Sequence, residues 1–185
     1  MEEINKLRII YKLKEVERAN SVGKRKESAA EHSWSCLILA DYLMDLIGEK
    51  LDKMRVYELL IYHDMVEIET GDINLLEQEK RKGKKETERE AIRKLKEKLP
   101  ERMGKKVEEL FEEFEEGKSK EARLAKAIDA LDAEIHELDY KEDWKGWTEE
   151  FLRKTKGPLF EEFPELKKIF EKTLAYARER GYFKQ

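Results

Sequence analysis

The chain has 185 residues, and 44% of them are charged, yet 39 Lys and Arg against 43 Asp and Glu leave a formal charge of only −4. That length is most simply one domain able to bury a sizeable core. The balanced charge provides no basic footprint for nucleic acid, so no nucleic-acid partner is expected.

Helices are expected throughout, because only three prolines and nine glycines punctuate the chain and no segment shows sustained strand alternation. Ile4, Leu7, Ile10, Tyr11 and the stem of Lys14 trace one face of a first helix ending near Arg18. The polar stretch 20–27, with Gly23 in its middle, reads as a loop. Ser28 with Glu31 three residues on is a capping box. It opens a helix that carries Leu39, Leu43, Met44 and Ile47, places His32 in its first turn and stops at Gly48. A third helix is expected over about 53–68, before Thr70-Gly71-Asp72, and 74–85 is the candidate mobile loop. Helical patterns resume over about 87–99, closed by Pro100, and over about 105–115, closed by Gly117. The next, about 120–140, is apolar at Leu124, Ala127, Ile128, Leu131 and Ile135. Trp144-Lys145-Gly146-Trp147 and Gly157-Pro158 are turn punctuation before a last helix over 164–180. The charge runs Glu79-Lys80-Arg81-Lys82 and Glu112-Glu113-Phe114-Glu115-Glu116 read as solvated faces and loops. No linker divides the chain. One all-α domain, 1–185, is therefore expected, with a core over about 28–140 and C-terminal helices over 148–181 packed on it.

The single cysteine, Cys36, excludes an intrachain disulfide and a thiolate-rich zinc site, and its neighbours Trp34, Leu37 and Ile38 point to packing. No 18-residue apolar run exists, so no membrane span is expected. The N-terminal residues lack the apolar stretch of a signal peptide, and a cytoplasmic location is expected. Abundant Lys and Glu with only two Gln resembles hyperthermophile usage.

Only three histidines occur: His32, His63 and His136. His63-Asp64 supplies an imidazole nitrogen and carboxylate oxygens side by side, a donor set for a divalent metal. His32 upstream and Asp129 downstream complete a candidate set of four ligands: His32, His63, Asp64 and Asp129. Glu67 lies one helical turn beyond the pair and shares its face, and Asp72, just after Gly71, can fold back toward the same pocket. Manganese, cobalt, nickel, iron, zinc and magnesium are not distinguished by these ligands. A bound divalent cation polarises a phosphoryl oxygen and lowers the pKa of a bound water, so the set points to a metal-dependent hydrolase in which Glu67 accepts or orients the proton of the attacking water. His136, on a polar stretch with Glu134 and Glu137, reads as a surface residue.

In order and type these pieces resemble the HD-domain phosphohydrolase superfamily, whose pattern is a histidine, then His-Asp, then a distant aspartate. Glu27-Ser28-Ala29-Ala30-Glu31-His32-Ser33 is similar to the segment around the first histidine of the HD-domain 5′-deoxynucleotidases. His63-Asp64-x-x-Glu67-x-x-x-Gly71-Asp72-Ile73 is similar to their central motif, and Leu13-Lys14-x-x-x-Arg18 to their N-terminal element. The resemblance spans about residues 5–140 and implies a single HD-domain helical bundle. It also implies a homodimer and removal of the 5′-phosphate from (2′-deoxy)nucleoside monophosphates. It assigns Arg18 to the phosphate, Asp64 and Asp129 to metal and substrate, and the backbone near Ile73 to the nucleoside. Asp72 holds a sugar hydroxyl, donates a proton to the leaving O5′, or joins Glu67 at a second cation. Where the family often has an aromatic residue beside that arginine, Ala19 and Asn20 follow here. Two other classes stay open: a related phosphohydrolase of nucleoside triphosphates or cyclic nucleotides, and a non-catalytic metal- or nucleotide-binding module. With Arg18 and at most Lys24 or Lys126 near the pocket, the sequence offers few cations for a triphosphate.

Overall fold

Helix α1 (Glu2–Leu7) runs straight into a 3₁₀ segment, Arg8–Glu15, in a computed structural model that describes residues 1–79 and 81–184, the last of these by its backbone. The first helix therefore does not continue to Arg18. Instead, strands β1 (Glu17–Val22) and β2 (Arg25–Ser28) form an antiparallel hairpin where a helix end and a loop were expected. Gly23, at φ +61°, makes its turn. Glu17 pairs with Ser28 and Ser21 with Lys26, so Arg18, Ala19 and Asn20 face the single residue Glu27 across a bulge. The strands need no apolar alternation because distant polar groups hold them. Ser21 donates from its backbone and its hydroxyl to Asp143 (2.7 and 2.9 Å), and Gly23 N donates to the Tyr140 hydroxyl (3.0 Å). His136, expected at the surface, is half-buried and donates from Nε2 to the Ser21 carbonyl at 2.8 Å.

Helix α2 (Ala29–Ile47) begins with both halves of the Ser28–Glu31 capping box and ends at Gly48 in the left-handed region. Helix α3 (Lys53–Tyr62), capped by Asp52, does not run unbroken to residue 68. It tightens into a 3₁₀ turn over His63–Val66 before the single turn α4 (Glu67–Thr70). Such a change of winding inside a helix commonly marks a functional position. Helices α5 (Lys84–Lys98) and α6 (Glu101–Glu116) each start about a turn earlier than their apolar periods imply. They pack so closely that a Cβ on Gly104 would collide with the Lys96 carbonyl. Of the expected loop 74–85, Lys80 lies outside the described residues, as does its part of the charge run. Helix α7 (Lys120–His136) is followed by short 3₁₀ turns, then α8 (Glu149–Thr155) and α9 (Pro164–Glu179).

The architecture is all-α apart from the hairpin. Helix α7 is its axis: Ala122, Leu124, Ala125, Ala127, Ile128, Ala130 and Leu131 are all buried, as expected of a helix surrounded by others. They belong to a large apolar cluster with residues of α2, α3 and α6, joined by Leu166, Phe170, Leu174 and Ala177 of α9. A second cluster, including Leu13, Met65, Val66, Ile92, Leu95 and Phe111, lies between the N-terminal segment, α5 and α6. The apolar face of α9 is thus spent within the chain, whereas α2 exposes Trp34, Ile38, Tyr42 and Leu46, each four residues from the next, at 65, 59, 63 and 46%. No helix among the described residues is long and apolar enough to cross a membrane.

Candidate active site

His32 enters the interior because the capping box starts α2 just above it, and its ring is fully buried. Nδ1 meets Asp132 Oδ2 at 3.0 Å, and Nε2 meets Asp129 Oδ1 at 2.9 Å. Burial and the Arg18 guanidinium press this imidazole toward neutrality. Cys36 and the two carboxylates outweigh them and raise its pKa well above the ordinary value. A divalent cation would compete with the proton for the Nε2 and Oδ1 lone pairs. His63, at the start of the 3₁₀ turn, donates from Nδ1 to the Leu60 carbonyl at 2.7 Å, which leaves Nε2 as the acceptor nitrogen. Nε2 is buried and has no hydrogen-bond partner. Asp64 Oδ1 is only 3.1 Å away but not in a hydrogen-bonding direction, and Asp129 Oδ1, at 3.8 Å, is beyond hydrogen-bond reach.

His32, His63 and Asp129 each offer one ligand atom within 4.8 Å of the others. An orphaned imidazole nitrogen facing carboxylate oxygens is the arrangement a metal satisfies, and the donor set fits a divalent transition ion. Asp129 has its pKa lowered: burial opposes the charge, but the His32 hydrogen bond and the charges of His63, His32 and Arg18 prevail. A second grouping at ligand spacing, His32, Cys36 and Asp132, shares the same ring. The Cys36 thiol, expected to pack, is buried with Sγ 3.6–3.7 Å from the His32 nitrogens, and burial pushes its pKa up to about 12. Neither grouping includes Asp64, Glu67 or Asp72. Asp64, expected as the fourth ligand, stands beside His63 with Oδ1 3.1 Å from Nε2, and among the described residues no three-ligand set surrounds the second cation considered for Glu67 and Asp72.

Arg18 reaches the site from the bulge of β1, not from a helix end. Its Nε donates to Glu27 Oε2 at 3.2 Å and its Nη1 to Asp64 Oδ2 at 3.5 Å. Burial disfavours its charge, but Asp64, Asp72, Asp129 and Glu67 hold it firmly protonated. Glu67 is buried, with Oε2 unpartnered. Burial first, then Asp64 and Asp72, raise its pKa well above the usual carboxylate range, while Arg18 and Lys84 pull the other way. Gly71 adopts φ +71° and ψ 164°, a conformation essentially confined to glycine. It turns the chain so that Asp72 and Ile73 line the same cavity as Arg18, His63, Asp64, Glu67 and Asp129.

That cavity has a volume of about 350 Å³, within the range of small-molecule sites. Sequence reasoning undercounted its cations. Arg81, Lys84, Lys126 and Lys156 line it beside Arg18, whereas Lys24 is exposed on the hairpin turn and does not. Most are already engaged: Lys84 with Glu88 (3.1 Å), Lys156 with Glu134, Lys126 with the Glu115 carbonyl (3.0 Å) and Arg81 with the Ile73 carbonyl (3.0 Å). Sequence reasoning also missed the roles of Asp132, which orients His32, and Glu27, which braces Arg18. Asp132 had one signal: it lies three residues from Asp129 on the same helix.

A helical bundle that gathers a histidine, a His-Asp pair and a distant aspartate beside an arginine has the architecture of an HD domain. The chain belongs to that family, whose profile, described as HD domain, matches residues 10–167. It is 32% identical to the 5′-deoxynucleotidase HDDC2 of Bos taurus and 31% identical to that of Homo sapiens. Each alignment covers 82% of this chain and 75% of the relative. A crystal structure of a "predicted metal-dependent phosphohydrolase" from Magnetospirillum magnetotacticum superposes with a TM-score of 0.86 at 28% identity, covering 98% of this chain and 96% of that one.

Proposed function

We propose that the protein is a metal-dependent phosphohydrolase that removes the 5′-phosphate from nucleoside monophosphates, 2′-deoxyribonucleotides among them. The carrying observation is the buried, unpartnered His63 Nε2 converging with His32 and Asp129, with an Asp64 oxygen 3.1 Å away and the half-buried Arg18 guanidinium alongside. The names of the relatives support the substrate class. His32, His63, Asp64 and Asp129 would hold the cation. When bound, it supplies Lewis acidity toward a phosphoryl oxygen and a water of lowered pKa. Asp132 fixes the His32 ring so that Nε2 points to the ligand position. Arg18 neutralises phosphate charge, its plane set by Glu27. Glu67, whose ionised form the charge of a bound cation would favour over the proton that burial otherwise holds on it, accepts the proton of the attacking water, and Asp72, aimed inward by Gly71, takes a sugar hydroxyl or protonates the leaving O5′. Because Lys84, Lys156, Lys126 and Arg81 are held by protein groups of the cavity wall and only Arg18 lies against a metal-ligand carboxylate, a single phosphate fits better than three.

The reading takes residues 1–185 as one domain acting in the cytoplasm. It also takes the protein as a homodimer, with the α2 stripe, not α9, as the face covered by a second copy. Trp34, Ile38, Tyr42 and Leu46, with exposed Met54 and Ile61 of α3, offer on the order of 600 Å² before any polar rim, against about 800 Å² per partner in a standard interface.

The test is phosphate release from nucleoside mono-, di-, tri- and cyclic phosphates by metal-stripped protein with single cations restored. Metal-dependent release from monophosphates is expected. Release from triphosphates or cyclic nucleotides alone would replace the substrate class, and no turnover with any cation would leave a binding module.

A further inference from the structure

The cavity continues past the metal-ligand end along one face of α7. Asp129, Ala133 and Glu137 recur at four-residue spacing, and all three line it. Two turns of helix place Glu137 roughly 12 Å from Asp129 along the axis, and the small Ala130 and Ala133 leave the space between them open. At the far end Asn20 and Glu137 are only 6% and 5% exposed, and Asn20 Nδ2 donates to Glu137 Oε1 at 2.9 Å. Asn20 comes from the same β1 bulge as Arg18, so one distorted strand supplies a polar group to each end of the cavity, as bulges beside active sites do. Leu75, Trp147 and Leu159 supply apolar walls. Neither polar side chain has a part in the metal or phosphate chemistry.

We propose that Asn20 and Glu137 form a specificity subsite for the heterocycle of the substrate, favouring bases that present a carbonyl oxygen next to a ring N–H. This rests on the nucleotide reading above. The Glu137 carboxyl has its pKa raised to about 8, by burial first and then by Glu134, with Lys156 opposing. At neutral pH it therefore carries a proton. Since Oε1 accepts from Asn20, that proton sits on Oε2 and can donate to a base carbonyl, while Asn20 Oδ1 can accept from the adjacent ring N–H. Adenine lacks that carbonyl and places an amino group against the carboxyl proton.

The experiment compares kcat/KM for deoxyinosine, deoxyadenosine and thymidine monophosphates with that for 2-deoxyribose 5-phosphate, which has no base. The parent should prefer the inosine and thymidine nucleotides to the adenosine nucleotide. Glu137→Leu should lower the former about tenfold or more, the scale of one buried hydrogen-bonding group, and leave the sugar phosphate unchanged. Glu137→Gln, which keeps a donor and an acceptor, should retain the preference. The sugar phosphate reports folding within each assay. If Glu137→Leu loses that activity too, Asn20→Ala is read the same way. Equal values for all three nucleotides in the parent, or variants that shift nucleotides and sugar phosphate alike, would overturn the subsite while the nucleotidase reading survives. A parent that cleaves the sugar phosphate but no nucleotide would overturn the nucleotidase reading itself.

Discussion

Asp132 and Asp129 take opposite nitrogens of one buried imidazole: Asp132 Oδ2 is 3.0 Å from His32 Nδ1, and Asp129 Oδ1 is 2.9 Å from Nε2. Three residues apart on α7, they act differently, one fixing the ring and the other sharing the position a cation would take. Asp132 also accepts from the Ser35 hydroxyl at 2.8 Å, so its own orientation is fixed. Asp132→Ala should weaken divalent-metal affinity about 10- to 100-fold, the usual scale for losing such a partner. Calorimetric titration measures this directly, and excess metal should restore turnover. In Asp129→Ala no metal concentration should do so. Unchanged affinity in Asp132→Ala would mean that it does not orient the ring.

Arg18→Lys keeps the charge and discards the planar fork that Glu27 and Asp64 hold in place. Hydrolysis of nucleoside monophosphates should fall strongly, by at least about tenfold. p-Nitrophenyl phosphate, with a better leaving group, should be cleaved at close to the parent rate. Equal activity of the variant and parent on every nucleotide would remove Arg18 from phosphate binding.

These two sites differ in how far the sequence exposed them. His32 was legible because a capping box is a local signal, and the structure keeps both of its hydrogen bonds. His63-Asp64 was legible as a donor pair, but the 3₁₀ turn that carries it was not, since the apolar period runs smoothly through residues 53–68. The hairpin was invisible for a stronger reason. Its polar strands carry no alternation, and the groups that hold it, His136, Tyr140 and Asp143, lie more than a hundred residues away in sequence. Local periodicity contains no record of such contacts. Arg18, which lines the cavity, was therefore expected on the wrong element, and Asn20 was assigned to a loop.

The α2 stripe predicts an oligomeric state. Sedimentation equilibrium should find a dimer for the parent, and Ile38→Glu with Tyr42→Glu should shift it to monomer, because two charges per copy would be buried without partners. Tyr176→Glu, on α9, should leave the dimer intact. A monomeric parent at micromolar concentration would refute this face as an interface.

Glu137 ties stability to pH. Its folded pKa of about 8 stands above the ordinary 4.5, so the folded chain holds a proton that the unfolded chain releases. The stability contributed by that proton is complete below about pH 4.5 and is lost as pH rises through 8. Glu137→Gln, neutral at every pH, should therefore melt at the parent's temperature near pH 4.5 and several degrees above it at pH 9. A difference in melting temperature that does not change with pH would show that Glu137 is ionised in the folded protein.

The docking of the hairpin has a thermal consequence. Arg18 and Asn20 lie on a strand held by polar bonds, from Ser21 and Gly23 to the end of α7 and the segment after it, and from their own side chains to Glu27, Asp64 and Glu137. His32, His63 and Asp129 depend instead on the buried contacts of α2, α3 and α7. Segments held by a few polar bonds open at lower free-energy cost than those held by a core. As temperature rises, the grip on phosphate should therefore loosen while the metal ligands are still assembled. KM would climb well before the helices melt, and the upper temperature of catalysis would be set by six residues of strand and not by the bundle.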